Sequence, residues 1–75
     1  MNNLEETVEL MKSDKYEDRF RAEYWQLKIR LDKLRNFLYS NRKKGNHQLL
    51  NIQYDCMTDY LLVLRARAEK EGINL

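Results

Sequence analysis

The sequence is short of the residues that build turns and cross-links: it has no proline, two glycines, one cysteine and one histidine in 75 residues. Tight turns, sheet hairpins and phosphate-cradling loops depend on glycine and proline, so their scarcity favours an all-α fold. Cys56 alone excludes an intrachain disulfide, and with His47 as the only histidine the chain lacks the ligands of a Cys/His zinc site. We therefore expect neither a metal nor a cofactor.

Long apolar runs are also missing. No run approaches the roughly 20 residues that a membrane span needs, and the acidic start at residues 1–6 has no basic leader before an apolar stretch. These features predict a cytoplasmic protein. A domain below about 70–80 residues rarely obtains more than ~3–5 kcal/mol from one core, so with disulfides and zinc excluded we expect association of several chains to add stability.

The sequence contains clear signals for the starts and ends of helices. Asp14 and Glu17 fit a capping box, the stretch Asn-Arg-Lys-Lys-Gly-Asn at 41–46 interrupts the pattern, and Gly72 suits a helix end. The predicted elements of this single domain, residues 1–75, are a short helix over 3–12, a long helix over 15–40, a basic turn over 41–46, and a second long helix over 47–71 that Asn46 caps. Two long helices joined by a short turn form an antiparallel helical hairpin.

The long helices carry more apolar surface than a hairpin buries. A heptad seam on the first predicts packing on the second: Phe20, Tyr24, Leu27, Leu31, Leu34 and Leu38. A second apolar face lies on nearly the opposite side of the first helix: Ala22, Trp25 and Ile29. The second helix has a stripe of Leu49, Ile52, Cys56, Tyr60 and Val63, which Leu50, Tyr54, Met57, Leu61, Leu64 and Ala68 extend through an arc of about 200°.

This surplus predicts an interface between copies, in a homo-oligomeric helical bundle. We expect the interface to contain Ala22, Trp25, Ile29, Leu50, Met57 and Leu61. The alternative is a three-helix monomer, in which the N-terminal helix covers one of these faces with Leu4, Val8 and Met11.

Charge is unevenly distributed along the chain. The net charge is +6 over residues 28–44, between −3 over residues 1–27 and −1 over residues 45–75. Cations beside aromatic rings suit a phosphate-bearing ligand, because guanidinium groups bind phosphate oxygens and rings stack on bases. The predicted ligand-binding residues are Arg21, Lys28, Arg35, Tyr39, Arg42, Lys43 and Tyr54. The alternatives are a solvated face, a nucleic-acid contact, or a contact with an acidic protein surface.

No catalytic arrangement is visible. The sequence places no nucleophile or carboxylate to form a triad with His47, which opens the second helix, and Cys56 falls within an apolar stripe. We expect no catalytic residue, and a protein that is not an enzyme.

The sequence contains a pattern of three blocks: an opening block of Tyr16, Arg19, Phe20, Glu23, Tyr24, Leu27, Arg30, Lys33 and Leu34, a second block of Leu49, Leu50, Gln53, Met57, Tyr60 and Leu61, and the ending Arg-Ala-Glu-Lys-Glu-Gly-Ile at 67–73. Through this pattern the chain resembles a family of short helical-hairpin proteins from phages and prophages of Firmicutes, first named from a crAss-like phage. The resemblance covers nearly the whole chain. It implies the hairpin fold and a phage accessory gene.

By analogy of shape and setting, the resemblance suggests an anti-defence role in the host cytoplasm. The leading hypothesis is an oligomer that sequesters a nucleotide second messenger of host immunity. The alternatives are an inhibitor that binds a host defence protein directly, in the manner of an anti-CRISPR or otherwise, and a nucleic-acid-binding accessory protein.

Overall fold

The computed structural model describes residues 3–75, which are all-helical with no strand. Its helices are α1 (Leu4–Met11), α2 (Tyr16–Ser40) and α3 (Gln48–Glu71). The bounds agree with the predicted elements to within one residue. α2 is the central element, since α1 packs against it and α3 returns along it. The predicted antiparallel hairpin with a short N-terminal helix is confirmed.

The start of α2 differs in detail from the predicted capping box. Lys15 occupies the N-cap position and no side chain caps the helix there. Ser13 instead organises this junction: its Oγ accepts from the Lys15 amide at 3.1 Å and donates to Asp18 Oδ2 at 2.7 Å. The capping-box prediction for Asp14 and Glu17 is wrong, because the serine hydroxyl takes over the local hydrogen bonding.

Gly72 ends α3 as the sequence predicts, whereas His47 and not the predicted Asn46 occupies the N-cap position, and no side chain caps the helix there. Asn46 Oδ1 accepts from the Gln48 amide at 3.0 Å at the first turn. Gly72 adopts the left-handed conformation at φ 71°, and the Ile73 amide donates to the Ala68 carbonyl at 2.8 Å. This is a Schellman motif, in which a glycine permits the turn and the following apolar residue packs back on the helix. It buries Ile73 in the core.

The core lies towards one end of the hairpin. Its buried members are Phe20, Tyr24, Leu31, Leu61, Leu64, Ala68 and Ile73. We call this region, residues 16–31 with 61–75, the closed end. At the other end, which we call the tip (residues 35–54), no described residue is fully buried. Packing therefore fixes the closed end more firmly than the tip.

α1 covers part of the second apolar face of α2, which corrects one interface prediction. Ala22 is only 1% exposed, so it is not available as a surface between copies in this conformation. Thr7 is completely buried and its Oγ1 accepts from Gln26 Nε2 at 3.0 Å, whereas Val8 and Met11 remain exposed. α1 thus docks through Thr7, which the sequence did not predict. Of the predicted face, Leu4 is partly buried and Met11 Sδ accepts from Gln26 Nε2 at 2.7 Å, whereas Val8 points to solvent. Trp25 is partly buried, edge-on to the Tyr24 ring at 5.1 Å between centroids, and Ile29 is also partly buried.

The apolar arc of α3 is divided between α2 and solvent in a way that the spacing did not predict. Leu61 is buried, and Leu50 and Met57 are partly buried, so these three predicted interface residues lie on the side of α3 that packs within the chain. The exposed side carries the stripe that begins at Leu49, which is 81% exposed. We call it the outer stripe: Leu49, Ile52, Cys56, Tyr60 and Val63, all exposed. The surplus apolar face predicted from the sequence exists, but on these residues instead.

Candidate functional site

A shallow groove of about 300 Å³ lies between α2 and α3 at the tip. Its lining, which we call the tip groove, is Arg35, Leu38, Tyr39, Asn51 and Tyr54. α2 supplies the first three residues within about one helical turn, and α3 supplies the other two at i and i+3, so each helix presents one face to the groove. The fold therefore brings together Arg35, Tyr39 and Tyr54, three of the predicted ligand-binding residues.

The edge of the tip groove is cationic and aromatic. The Arg42 guanidinium carbon lies 5.0 Å from the centroid of the Tyr39 ring, which is 70% exposed. Within residues 3–75, no carboxylate forms an ion pair with Arg42, Lys43 or Lys44. An exposed ring and unpaired cations suit a ligand with a planar base and phosphate oxygens.

Hydrogen bonds hold the turn that presents these cations. The Asn41 carbonyl accepts from the Lys44 amide at 3.0 Å and lies 2.9 Å from His47 Nε2, which donates in the matching tautomer. The His47 ring packs edge-on against Phe37, with 5.7 Å between ring centroids. His47 therefore closes the turn, and its contacts are structural.

Two other predicted ligand-binding residues are engaged elsewhere. Arg21 donates to the Asn74 carbonyl at 2.6 Å and to Asp18 at 3.1 Å, at the closed end. It precedes Tyr39 by 18 residues, which is about 27 Å along a helix. Lys28 donates to both carboxylate oxygens of Asp32 at 2.9 Å. Arg21, Lys28 and Arg35 follow one another at seven-residue spacing, and the first two of this row of cations are therefore engaged by oxygen acceptors of the chain itself.

Arg35 marks the point where this row becomes available. It lies 3.5 Å from Asp32, on the carboxylate that Lys28 already occupies, and more than half of its side chain is exposed. A longer, shared and solvated ion pair holds a guanidinium weakly. Arg35 is therefore free to turn towards an anion in the tip groove.

Three titratable side chains form a hydrogen-bonded network at the closed end. Tyr16 donates to Glu71 at 2.6 Å, and Arg67 donates to the Tyr16 hydroxyl at 3.1 Å and to Glu71 at 3.3 Å. The hydrogen bond from Tyr16 lowers the pKa of Glu71, and the same bond raises the pKa of Tyr16. These groups are paired with one another across α2 and α3, so they serve the fold.

A second groove, of about 330 Å³, was not predicted. This side groove is lined by Met11, Arg19, Ala22, Glu23, Gln26, Leu27, Arg30 and Tyr60. Its polar members on α2 follow one another at helical spacing, 19, 23, 26 and 30, and that spacing is the signal by which the sequence could have revealed them. Gln26 already donates to Thr7, and Arg19 donates to the Ser13 carbonyl at 3.0 Å. The Glu23 carboxylate makes the side groove less favourable to phosphate than the tip groove.

Comparison with protein families identifies the chain. The model of the Sequestin family matches residues 14–70. The chain belongs to the Sequestin family. The Sequestin match spans the hairpin from the start of α2 to the last turn of α3, and so includes the whole tip groove and the outer stripe. Searches of curated proteins and of solved structures gave no match to the chain.

Two further observations concern membrane spans and metal ligands. No helix among residues 3–75 is long and apolar enough to cross a membrane. In the same part of the chain, no three His, Cys, Asp or Glu side chains come together as metal ligands would.

Proposed function

We propose that the chain is a non-enzymatic phage anti-defence protein that sequesters a phosphate-bearing nucleotide signal in the cytoplasm of the infected host. The family name denotes sequestration, and the tip groove supplies chemistry that such a ligand needs. The observation that supports the proposal best is the position of Arg35, Tyr39 and Tyr54 around one groove, with Arg42 against Tyr39.

Each part of the tip has a role in this proposal. Arg35, Arg42 and Lys43 bind phosphate oxygens, since charge-assisted hydrogen bonds to phosphate are the strongest polar contacts available to the chain. Tyr39 or Tyr54 stacks on a base, which contributes about 1–3 kcal/mol per base. Sequestration requires binding without turnover, so the site needs no nucleophile and no general base.

The groove is shallow, and a nucleotide held by one copy would keep a solvated side. A second copy that adds a wall would remove more ligand surface from water and slow release. We therefore include a homo-oligomer in the proposed function.

Isothermal titration tests the proposal on the full chain. The titrants are cyclic dinucleotides, cyclic trinucleotides, cyclic isomers of ADP-ribose and, as a control, inorganic phosphate. We expect saturable binding to at least one nucleotide, with the same nucleotide recovered unchanged after heat denaturation of the protein. Absence of binding throughout the panel, or recovery of a cleaved product, would overturn the proposal.

Two matched variants locate the site. Arg35→Gln should weaken nucleotide binding by about 10-fold to 100-fold, because it removes one charge-assisted contact. Arg30→Gln removes the same charge from the side groove and should leave the affinity unchanged. The reverse result would move the ligand to the side groove.

A pull-down from host lysate separates sequestration from direct inhibition of a defence protein. A sequestering protein should recover no host protein in stoichiometric amount. A stoichiometric host protein whose recovery is lost in Arg42→Gln would favour the inhibitor instead.

A further inference from the structure

Asn51 contributes the only amide side chain to the described lining of the tip groove. Among residues 3–75, this side chain has no hydrogen-bond partner. The asparagines of the neighbouring turn differ in this respect. Asn41 Nδ2 donates to the Phe37 carbonyl at 2.9 Å, and Asn46 Oδ1 accepts from the Gln48 amide at 3.0 Å. Those two amides serve the turn, whereas the amide of Asn51 is available to a partner from outside the chain.

This amide differs in kind from the other polar groups of the tip groove. Arg35 suits phosphate oxygens, which every nucleotide carries. The rings of Tyr39 and Tyr54 can stack on any base, because every base has a π-face, and each hydroxyl makes a single contact that adapts as donor or acceptor. A primary amide presents a donor and an acceptor side by side, so it fits some base edges and not others. Asn51 is therefore the lining residue best suited to distinguish one base from another.

α3 places Asn51 beside a ring on which a base would stack. Asn51 and Tyr54 are three positions apart on one face of the helix, which brings their Cβ atoms to about 5–6 Å from each other. Tyr54 is partly buried and packs against the core, so its ring is held by the hairpin. A base stacked on this ring extends beyond it and presents an edge to the Asn51 amide. Arg35 lines the same groove from α2, where it can reach the phosphate of that nucleotide.

Adenine is the base whose edges match a side-chain amide best. Its N6–H donor is flanked by two ring acceptors, N7 and N1, so the amide can make two contacts on either edge. Guanine presents two acceptors, O6 and N7, on the edge that corresponds to N6 and N7, and the amide oxygen would face an acceptor there. We propose that Asn51 selects the base and that the tip groove takes an adenine nucleotide. This inference rests on the proposed function, because it names the class of nucleotide that is sequestered.

Titration calorimetry with two matched probes tests the choice of base on the full chain. Cyclic di-AMP and cyclic di-GMP have the same sugars and phosphates and differ only in the base. We expect cyclic di-AMP to bind at least about 10-fold more tightly, since a bidentate contact separates the right base from the wrong one by this order. Equal affinities, or binding of neither probe while another nucleotide binds, would overturn the adenine assignment and leave sequestration standing. Absence of binding by every nucleotide would overturn sequestration itself.

A preference for cyclic di-GMP has its own interpretation. The guanidinium of Arg35 fits the O6 and N7 acceptors of guanine as a bidentate donor. Tighter binding of cyclic di-GMP that is lost in Arg35→Gln would therefore assign the base to Arg35, and would overturn the role given to Asn51.

Two asparagine variants locate the contact. Asn51→Ala should weaken binding of cyclic di-AMP by about 10-fold and change that of cyclic di-GMP by no more than about 2-fold. Asn36→Ala removes the same amide from an exposed position of α2 outside the groove and should change neither affinity. Circular dichroism and the melting temperature should be unchanged in both variants, because neither side chain has a partner among residues 3–75. An equal loss for both probes in Asn51→Ala would remove Asn51 from the choice of base.

Removing the 6-amino group from the ligand completes the test. An analogue of cyclic di-AMP with unsubstituted purine bases lacks the N6–H donor that both adenine edges use. The wild type should bind this analogue about 10-fold more weakly than cyclic di-AMP, whereas Asn51→Ala should bind the two equally. This double-mutant cycle isolates the contact between the amide and the amino group. The same loss in both proteins would show that another residue reads the amino group, and would overturn the proposal.

Discussion

The closed end and the tip of the hairpin use the same residue types for different purposes. At the closed end, Arg21 and Arg67 are held by carbonyl or carboxylate oxygens, and the side chains between the helices are buried. At the tip, the one contact of Arg42 recorded within residues 3–75 is with the Tyr39 ring, and Leu49 is mostly exposed to water. A cation at the closed end stabilises the fold, whereas a cation at the tip is available to a ligand.

This contrast explains how 75 residues combine a fold with a binding surface. The buried core of α2 and α3 is concentrated over roughly half of the hairpin, so the other half is free to present charge and apolar surface that a monomer does not need. Regions with few buried contacts are the ones that respond to ligands and partners. The tip groove and the first two residues of the outer stripe, Leu49 and Ile52, occupy that half.

The largest effect should come from comparing two leucines of α3. Leu64→Ala should lower the free energy of unfolding by about 3 kcal/mol, because a fully buried leucine loses both its burial and its packing. Leu49→Ala should change it by no more than about 0.5 kcal/mol, because the side chain is mostly in water. Urea denaturation of both variants and the wild type, at one fixed and low protein concentration, measures the two differences. Equal losses would show that the tip is packed as firmly as the closed end.

A smaller effect should separate two arginines. Arg42→Gln should weaken nucleotide binding by about 10-fold, equivalent to about 1.4 kcal/mol, and leave the melting temperature unchanged. Arg21→Gln should leave the nucleotide affinity unchanged. It should lower the melting temperature by a few degrees, because the contacts of Arg21 with Asp18 and Asn74 are lost. Titration calorimetry and a thermal melt on both variants make this comparison. An affinity loss in Arg21→Gln would place phosphate at the closed end.

Helix positions were predictable from the sequence because they depend on local chemistry. Gly72 permits the left-handed turn that ends α3, and Asn46 accepts from the first turn of that helix. The side of α3 that faces α2 was not predictable. Leu49 and Leu50 are adjacent in an apolar arc of about 200°, and spacing alone does not decide which half of such an arc meets the neighbouring helix.

The sequence predicted where the candidate site lies better than it predicted which residues belong to it. The +6 segment directs attention to the tip, where Arg35 and Tyr39 lie in the groove. Sequence reasoning missed that Asp32 engages Lys28 and that the Asn74 carbonyl engages Arg21, since the second contact joins residues 53 positions apart. It also missed the side groove, which exists only because α1 and α3 flank α2.

The smallest expected effect concerns the hydrogen bond from Tyr16 to Glu71 at the closed end. This bond lowers the pKa of Glu71 below its ordinary value of 4.5. A carboxyl whose pKa is lower in the folded state contributes stability that is fully present above the unfolded pKa and is lost as the pH falls through the folded pKa. Tyr16→Phe should therefore raise the pKa of Glu71 towards 4.5 in an NMR titration and flatten the acid limb of the stability curve.

The same bond acts with the opposite sign at high pH. It raises the pKa of Tyr16 above 10.0, so its contribution is fully present below the unfolded tyrosine pKa and disappears as the pH rises through the folded value. The melting temperature of the wild type should thus fall more steeply than that of Tyr16→Phe on both the acid and the alkaline side. Near pH 7 the two melting temperatures should differ by only a few degrees, because the network is exposed to solvent. Tyr39→Phe is the matched control, since the Tyr39 hydroxyl at the tip has no hydrogen-bond partner among residues 3–75. Identical pH profiles for Tyr16→Phe and Tyr39→Phe would contradict the distinction between a paired closed end and an unpaired tip.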